Sequence, residues 1–136
     1  MGLFSNAQKS NPTIIVEGIE IEFHRDHEWW GFNYRDTEFA SYELSLTLPS
    51  KAELDIILNT LEALKPELLS RLKKGLNEWC GEQSKLNDGE SYSVDVNLFA
   101  SEKTFTVTWS DGESWGDMGV DYTIKGGSII DESWGD

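Results

Sequence analysis

The chain of 136 residues has a single cysteine, Cys80. No intramolecular disulfide can form, and no cysteine pair exists to hold zinc. Histidine is scarce too: His24 and His27 are the only two, so no third histidine is available to a metal site. Basic residues are few, 11 Lys and Arg against 25 Asp and Glu, for a net charge of −14 at pH 7. Such a field repels nucleic acid and anionic lipid and attracts cations and basic proteins. No apolar run approaches the roughly 18 residues of a membrane span. The opening MGLFSNAQKSNPTII lacks a basic start leading into a long apolar stretch, so no secretory signal is expected and the reading is a cytoplasmic protein. Met1-Gly2 departs from the myristoylation pattern at Asn6. The chain also lacks a P-loop, a G-x-G-x-x-G fingerprint and a G-x-S-x-G elbow.

What is present is aromatic payload: six Trp, six Phe and four Tyr. With few prolines and this length, the composition predicts one folded domain with a real core. Residues 1–12 read as a flexible tail and 13–136 as a single domain. Charge is unevenly spread. Residues 51–86 are neutral overall, whereas 13–50 carry −6 and 87–136 carry −9.

Hydrophobic periodicity supplies the elements. Ile19, Ile21 and Phe23 alternate with Glu20 and Glu22, the period of a half-buried strand. Together with Thr13–Val16 and the Glu17-Gly18 step they predict a hairpin. Trp29–Arg35 is a second strand candidate, with Trp30, Phe32 and Tyr34 on one face. Tyr42–Leu48 is a third. Ser50 and Glu53 form an S-x-x-E capping box. It precedes Leu54, Ile57, Leu58, Leu61 and Leu64 at helical spacing. Pro66 stops or kinks that helix or opens the next, and Leu69, Leu72, Leu76, Trp79 and Cys80 continue the stripe. Gly75 marks close packing, and Gly81 is a candidate C-terminal cap. Strands follow at Ser91–Phe99, with Val94, Val96 and Leu98 inward, and at Lys103–Ser110, with Phe105, Val107 and Trp109 inward. Val120–Lys125 and Ser128–Ile130 flank a Gly126-Gly127 turn. The fold class expected is α+β: an antiparallel sheet of about six to eight strands with a mid-chain helical pair packed on one face.

Chemistry-bearing clusters are sparse. His24, Asp26 and His27 hold ligand types for zinc or iron, but strand alternation sets the two histidines on opposite faces. Cys80 lies on the apolar side of the helix, where an inert buried thiol is expected. Lys65, Arg71, Lys73 and Lys74 are expected to pair with Glu67 and Glu78.

A repeat stands out instead. Glu113-Ser114-Trp115-Gly116-Asp117 returns unchanged as Glu132-Ser133-Trp134-Gly135-Asp136, with a weaker echo at Asp88-Gly89-Glu90-Ser91-Tyr92. Asp111–Asp117 gathers carboxylates within one short loop but misses the calcium-loop pattern. Asp-Gly steps make turns, and a Trp beside Gly anchors a loop to a core. Alternatively, exposed indoles ringed by carboxylates recognise a basic protein. The tail from Trp115 to Ile124 and from Gly127 to Asp136 resembles the C-terminal end of small bacterial cytoplasmic proteins, some of them immunity proteins that neutralise a cognate toxin. The resemblance implies a non-catalytic, acidic protein-binding module without a cofactor, whose partner is a basic protein such as a toxin domain. The residues expected to meet the partner are Glu113, Trp115, Asp117, Asp121, Asp131, Glu132, Trp134 and Asp136. Two other readings stay open. One is a metal-dependent enzyme or ion-binding domain using His24, Asp26 and His27 or the acidic turns. The other is a structural protein whose acidity serves solubility alone.

Overall fold

The computed structural model describes residues 11–25, 28–41, 49–79, 92–110 and 119–135. Eight strands form one sheet in sequential order. They are β1 (Thr13–Val16), β2 (Ile19–His24), β3 (Trp29–Tyr34), β4 (Thr37–Ser41), β5 (Tyr92–Asp95), β6 (Thr104–Ser110), β7 (Gly119–Lys125) and β8 (Ser128–Gly135). A long helix, α1 (Lys51–Trp79), and a single helical turn, α2 (Phe99–Glu102), complete the described elements. The α+β expectation holds at this level. No helix among the described residues is long and apolar enough to cross a membrane.

Three hairpin turns have positive φ at both central residues: Glu17-Gly18, Arg35-Asp36 and Gly126-Gly127. That geometry matches the right-handed twist of flanking strands. The first and third are signalled by glycine. The second is not, because Arg35 and Asp36 are an unusual pair for the left-handed region. This is why β4 escapes sequence reading.

The expected helical pair is one continuous helix of 29 residues with Pro66 inside it. Pro66 removes a donor to the Glu62 carbonyl and crowds it, a cost of about 3 kcal/mol. The apolar stripe outweighs that. Leu54, Ile57 and Leu61 before the proline and Leu68, Leu72 and Leu76 after it are all buried on one side. Each such side chain contributes roughly 1.5–3 kcal/mol, so a break at Pro66 would forfeit more than it relieved. The capping box forms as read: the Glu53 amide donates to Ser50 Oγ at 3.2 Å, and the Ser50 amide donates to Glu53 Oε1 at 3.1 Å.

A purely antiparallel sheet is also not what forms. β4 and β5 pair in parallel, with Phe39 opposite Val94. A parallel pair needs a crossover, and α1 lies in that connection. Seven strand positions facing the helix make a buried stripe across the sheet's centre: Phe32, Phe39, Val94, Val107 and Tyr122 in one cross-strand row, with Trp109 and Val120 beside it. These and the α1 leucines form one core cluster. Leu98, expected inward, is 47% exposed. The strand ends at Asp95 and the chain turns into α2 there, so alternation no longer applies. The strand expected over 42–48, together with Cys80 and Gly81, lies outside the described residues.

Asp55, in the second turn of α1, ties the helix to the β3–β4 turn. It accepts hydrogen bonds from the Tyr34 hydroxyl at 2.9 Å and from Arg35 Nη1 at 3.0 Å. The Tyr34 hydroxyl first, and the Arg35 guanidinium second, hold its carboxyl below the usual range. A depressed folded-state value means the stabilisation is complete above the unfolded pKa of about 4. It is lost as pH falls through the folded value. Asp55→Asn is therefore expected to lower stability to urea at neutral pH, with the gap to the parent closing below about pH 4. A gap that persists undiminished into acid would rule out the charged carboxylate as its source.

Candidate functional site

The sheet has two unlike faces. One meets α1. No described element covers the other, and its composition follows from strand alternation. A row crosses all eight strands there: Thr13, Glu22, Gly31, Ala40, Asp95, Thr106, Thr123 and Asp131. The neighbouring row runs Asn33, Glu38, Ser93, Thr108, Asp121 and Ser133 from β3 to β8. On β1 and β2 it is flanked by Ile15 opposite Glu20. These side chains are short or acidic, so the face is low in relief and negative. Glu20, Glu22, Glu38, Asp95, Asp121 and Asp131 supply carboxylates, and Lys125 stands near one end. Thr108 donates its hydroxyl to Asp121 Oδ1 at 2.6 Å, which fixes that carboxylate against the sheet.

Charge is thus sorted between layers. α1 carries Lys51, Lys65, Arg71, Lys73 and Lys74 against Glu53, Asp55, Glu62, Glu67 and Glu78, a neutral balance. Among the described residues, the opposite face of the sheet carries six carboxylates. Arg71 pairs with Glu67 at 3.0 Å, as the i,i+4 spacing predicts.

Beside β2 and β3 lies a groove of about 850 Å³, lined by Glu20, Glu22, Glu38, His24, Trp29 and Asn33 and also by the basic residues Arg35 and Lys51. His24 and Trp29 sit opposite each other and stack at 4.0 Å, nearly parallel. His24 Nε2 lies 3.0 Å from Glu22 Oε2. Gly31 is the floor. A Cβ there would come within 2.5 Å of the Trp29 ring, so the indole lies against bare backbone. Of the metal-ligand trio, only His24 is among the described residues. No group of three or more His, Cys, Asp or Glu fit to hold a metal occurs among them.

The structure divides the residues expected to meet a partner. Asp121 and Asp131 stand exposed on the open face. Glu132 and Trp134 project to the helix side, opposite Tyr122 and Val120. There the Trp134 indole packs over Gly75, where a Cβ would fall only 1.9 Å from the ring. Its N–H donates to Glu132 Oε2 at 2.8 Å, and Glu132 Oε1 lies 3.6 Å from Arg71 Nη1. Burial, then the nearby Glu132 carboxylate, raises the pKa of Tyr122 in the same row. This second copy of the repeat fastens β8 to α1. Glu113, Trp115, Asp117 and Asp136 lie outside the described residues.

Glu20, Glu22, Glu38 and Asp95 are the face residues that the sequence reading did not nominate. Alternation in Ile19–Phe23 marks the first two as solvent-facing. Glu38 belongs to the unforeseen β4, and Asp95 reaches the face through the parallel β4–β5 pairing. No family model matches the chain, and no curated protein or solved structure matches it either.

Gly75→Ala adds helix propensity of about 1 kcal/mol but forces the rigid indole off α1. Overpacking of this kind costs about 1–3 kcal/mol. The expected outcome is net destabilisation with a red shift of Trp134 emission. In the Trp134→Ala background the same substitution should become neutral or stabilising, as a double-mutant cycle would read.

Proposed function

We propose that the protein is a non-catalytic acidic binding module that acts in the cytoplasm and docks a basic protein on the open face of its sheet, as an immunity-type inhibitor does with a toxin domain. The observation that carries this reading is the sorting of charge. A neutral helix covers one face of the sheet, and carboxylates on β2, β4, β5, β7 and β8 share the other. Away from the groove beside Trp29, a face of short side chains suits a broad protein surface better than a small ligand. Carboxylates spread across it steer a basic partner into encounter. Asp121 and Asp131 belong to that surface. Glu132 and Trp134 hold its outer strand in place.

Mixing the purified chain with the basic product of a neighbouring toxin-like gene tests the reading. A complex at micromolar concentration is expected. Asp121→Lys combined with Asp131→Lys should slow association about ten-fold at low salt. The difference should fade as added salt shortens screening toward about 3 Å. Association indifferent to both charge reversal and salt would defeat the proposal.

A further inference from the structure

The two edges of the sheet are treated differently. β8 is guarded. Its pairing with β7 slips at Thr123/Ile124, and it carries Asp131 on one face and Glu132 on the other. Bulges and charges facing both ways are the usual protection of an open edge. β1 has neither. Thr13-Ile14-Ile15-Val16 holds no charge, pairs with β2 in unbroken register, and is exposed throughout. Ile15 is the most exposed of the large apolar side chains, at 74%.

The proline that precedes β1 does not block the edge either. The Phe23 amide donates to the Pro12 carbonyl at 2.9 Å. Pro12–Phe23 is thus a hydrogen-bonded pair, and by alternation so are Ile14–Ile21 and Val16–Ile19. The amides and carbonyls of Thr13 and Ile15 consequently point away from β2, toward the edge that no described strand pairs with. The missing N–H of Pro12 faces inward.

We infer that β1 is a docking edge that takes an extended segment of the basic partner as a ninth strand. This inference rests on the acidic-face reading and specifies how the partner engages the sheet. The edge defines the segment's pattern. On the open face an added strand runs beside Ile15, with Glu20 and Glu22 on the next strand, which favours long basic side chains whose stems cover Ile15 and whose heads reach the carboxylates. On the helix side it meets Ile14 and Val16, which favours apolar side chains. The recognised segment therefore alternates basic and apolar residues, in the manner of β-strand addition, with backbone hydrogen bonds supplied by Thr13 and Ile15.

A short labelled peptide alternating lysine and valine, titrated into the full chain, tests this directly. Saturable binding is expected, with new hydrogen-exchange protection at the Thr13 and Ile15 amides. A peptide of the same composition in block order should bind more weakly. Ile15→Pro removes an outward donor and should cost about ten-fold in affinity. Glu20→Lys with Glu22→Lys, which leaves the edge backbone intact, should switch preference to a glutamate–valine peptide. Equal binding of the alternating and block peptides, or binding that leaves both amides unprotected, overturns the inference. If a basic protein binds and is weakened by Asp121→Lys but not by Ile15→Pro, the acidic face stands and the edge does not. Peptide addition at β1 in a chain that captures no basic protein would mean the reverse.

Discussion

The burial of one helical stripe against one sheet face is the constraint from which the other features follow. Leu54, Ile57, Leu61, Leu68, Leu72 and Leu76 all vanish from solvent on the same side of α1. Their partners include the central row from Phe32 to Tyr122. That contact holds the helix through Pro66 despite the lost backbone bond. It also ties the two halves of the chain together, because the helix connects β4 to β5 across the only parallel pair in the described sheet.

Once one face is given to the helix, alternation leaves the other face to polar residues. Six acids dispersed along the chain, Glu20, Glu22, Glu38, Asp95, Asp121 and Asp131, thereby share one side. The gathering costs electrostatic repulsion, and nothing in the core demands it: threonine or serine would satisfy the same positions, as they do at Ser93, Thr106 and Thr123. An acidic face beyond what folding requires supports the proposed partner of opposite charge.

The duplicated pentapeptide shows how strand alternation divides a motif. Its second copy looks like a pair of exposed acids flanking an indole. In the fold, Trp134 rests on Gly75, Glu132 turns toward Arg71, and the preceding Asp131 points to the open face. Alternation assigns adjacent residues to opposite faces, so a contiguous motif in a strand is split between two surfaces. The residues that do share a surface lie one per strand, far apart in the chain.

Local signals in the sequence determined much of this protein. Alternation in Ile19–Phe23 and Lys103–Ser110, the Ser50–Glu53 capping box, and the glycine turns at Gly18 and Gly126-Gly127 are all written in short-range patterns, because each depends on neighbours a few residues away. Tertiary structure alone decided the rest. Only packing carries α1 through Pro66, since propensity favours a break there. Only the helical crossover sets β5 parallel to β4 and brings Asp95 beside the strands of the first half. The Arg35-Asp36 turn, and with it β4 and Glu38, depends on long-range pairing to hold two residues at positive φ. Which carboxylates share a face is a question of register between distant strands, and register is a property of the assembled sheet.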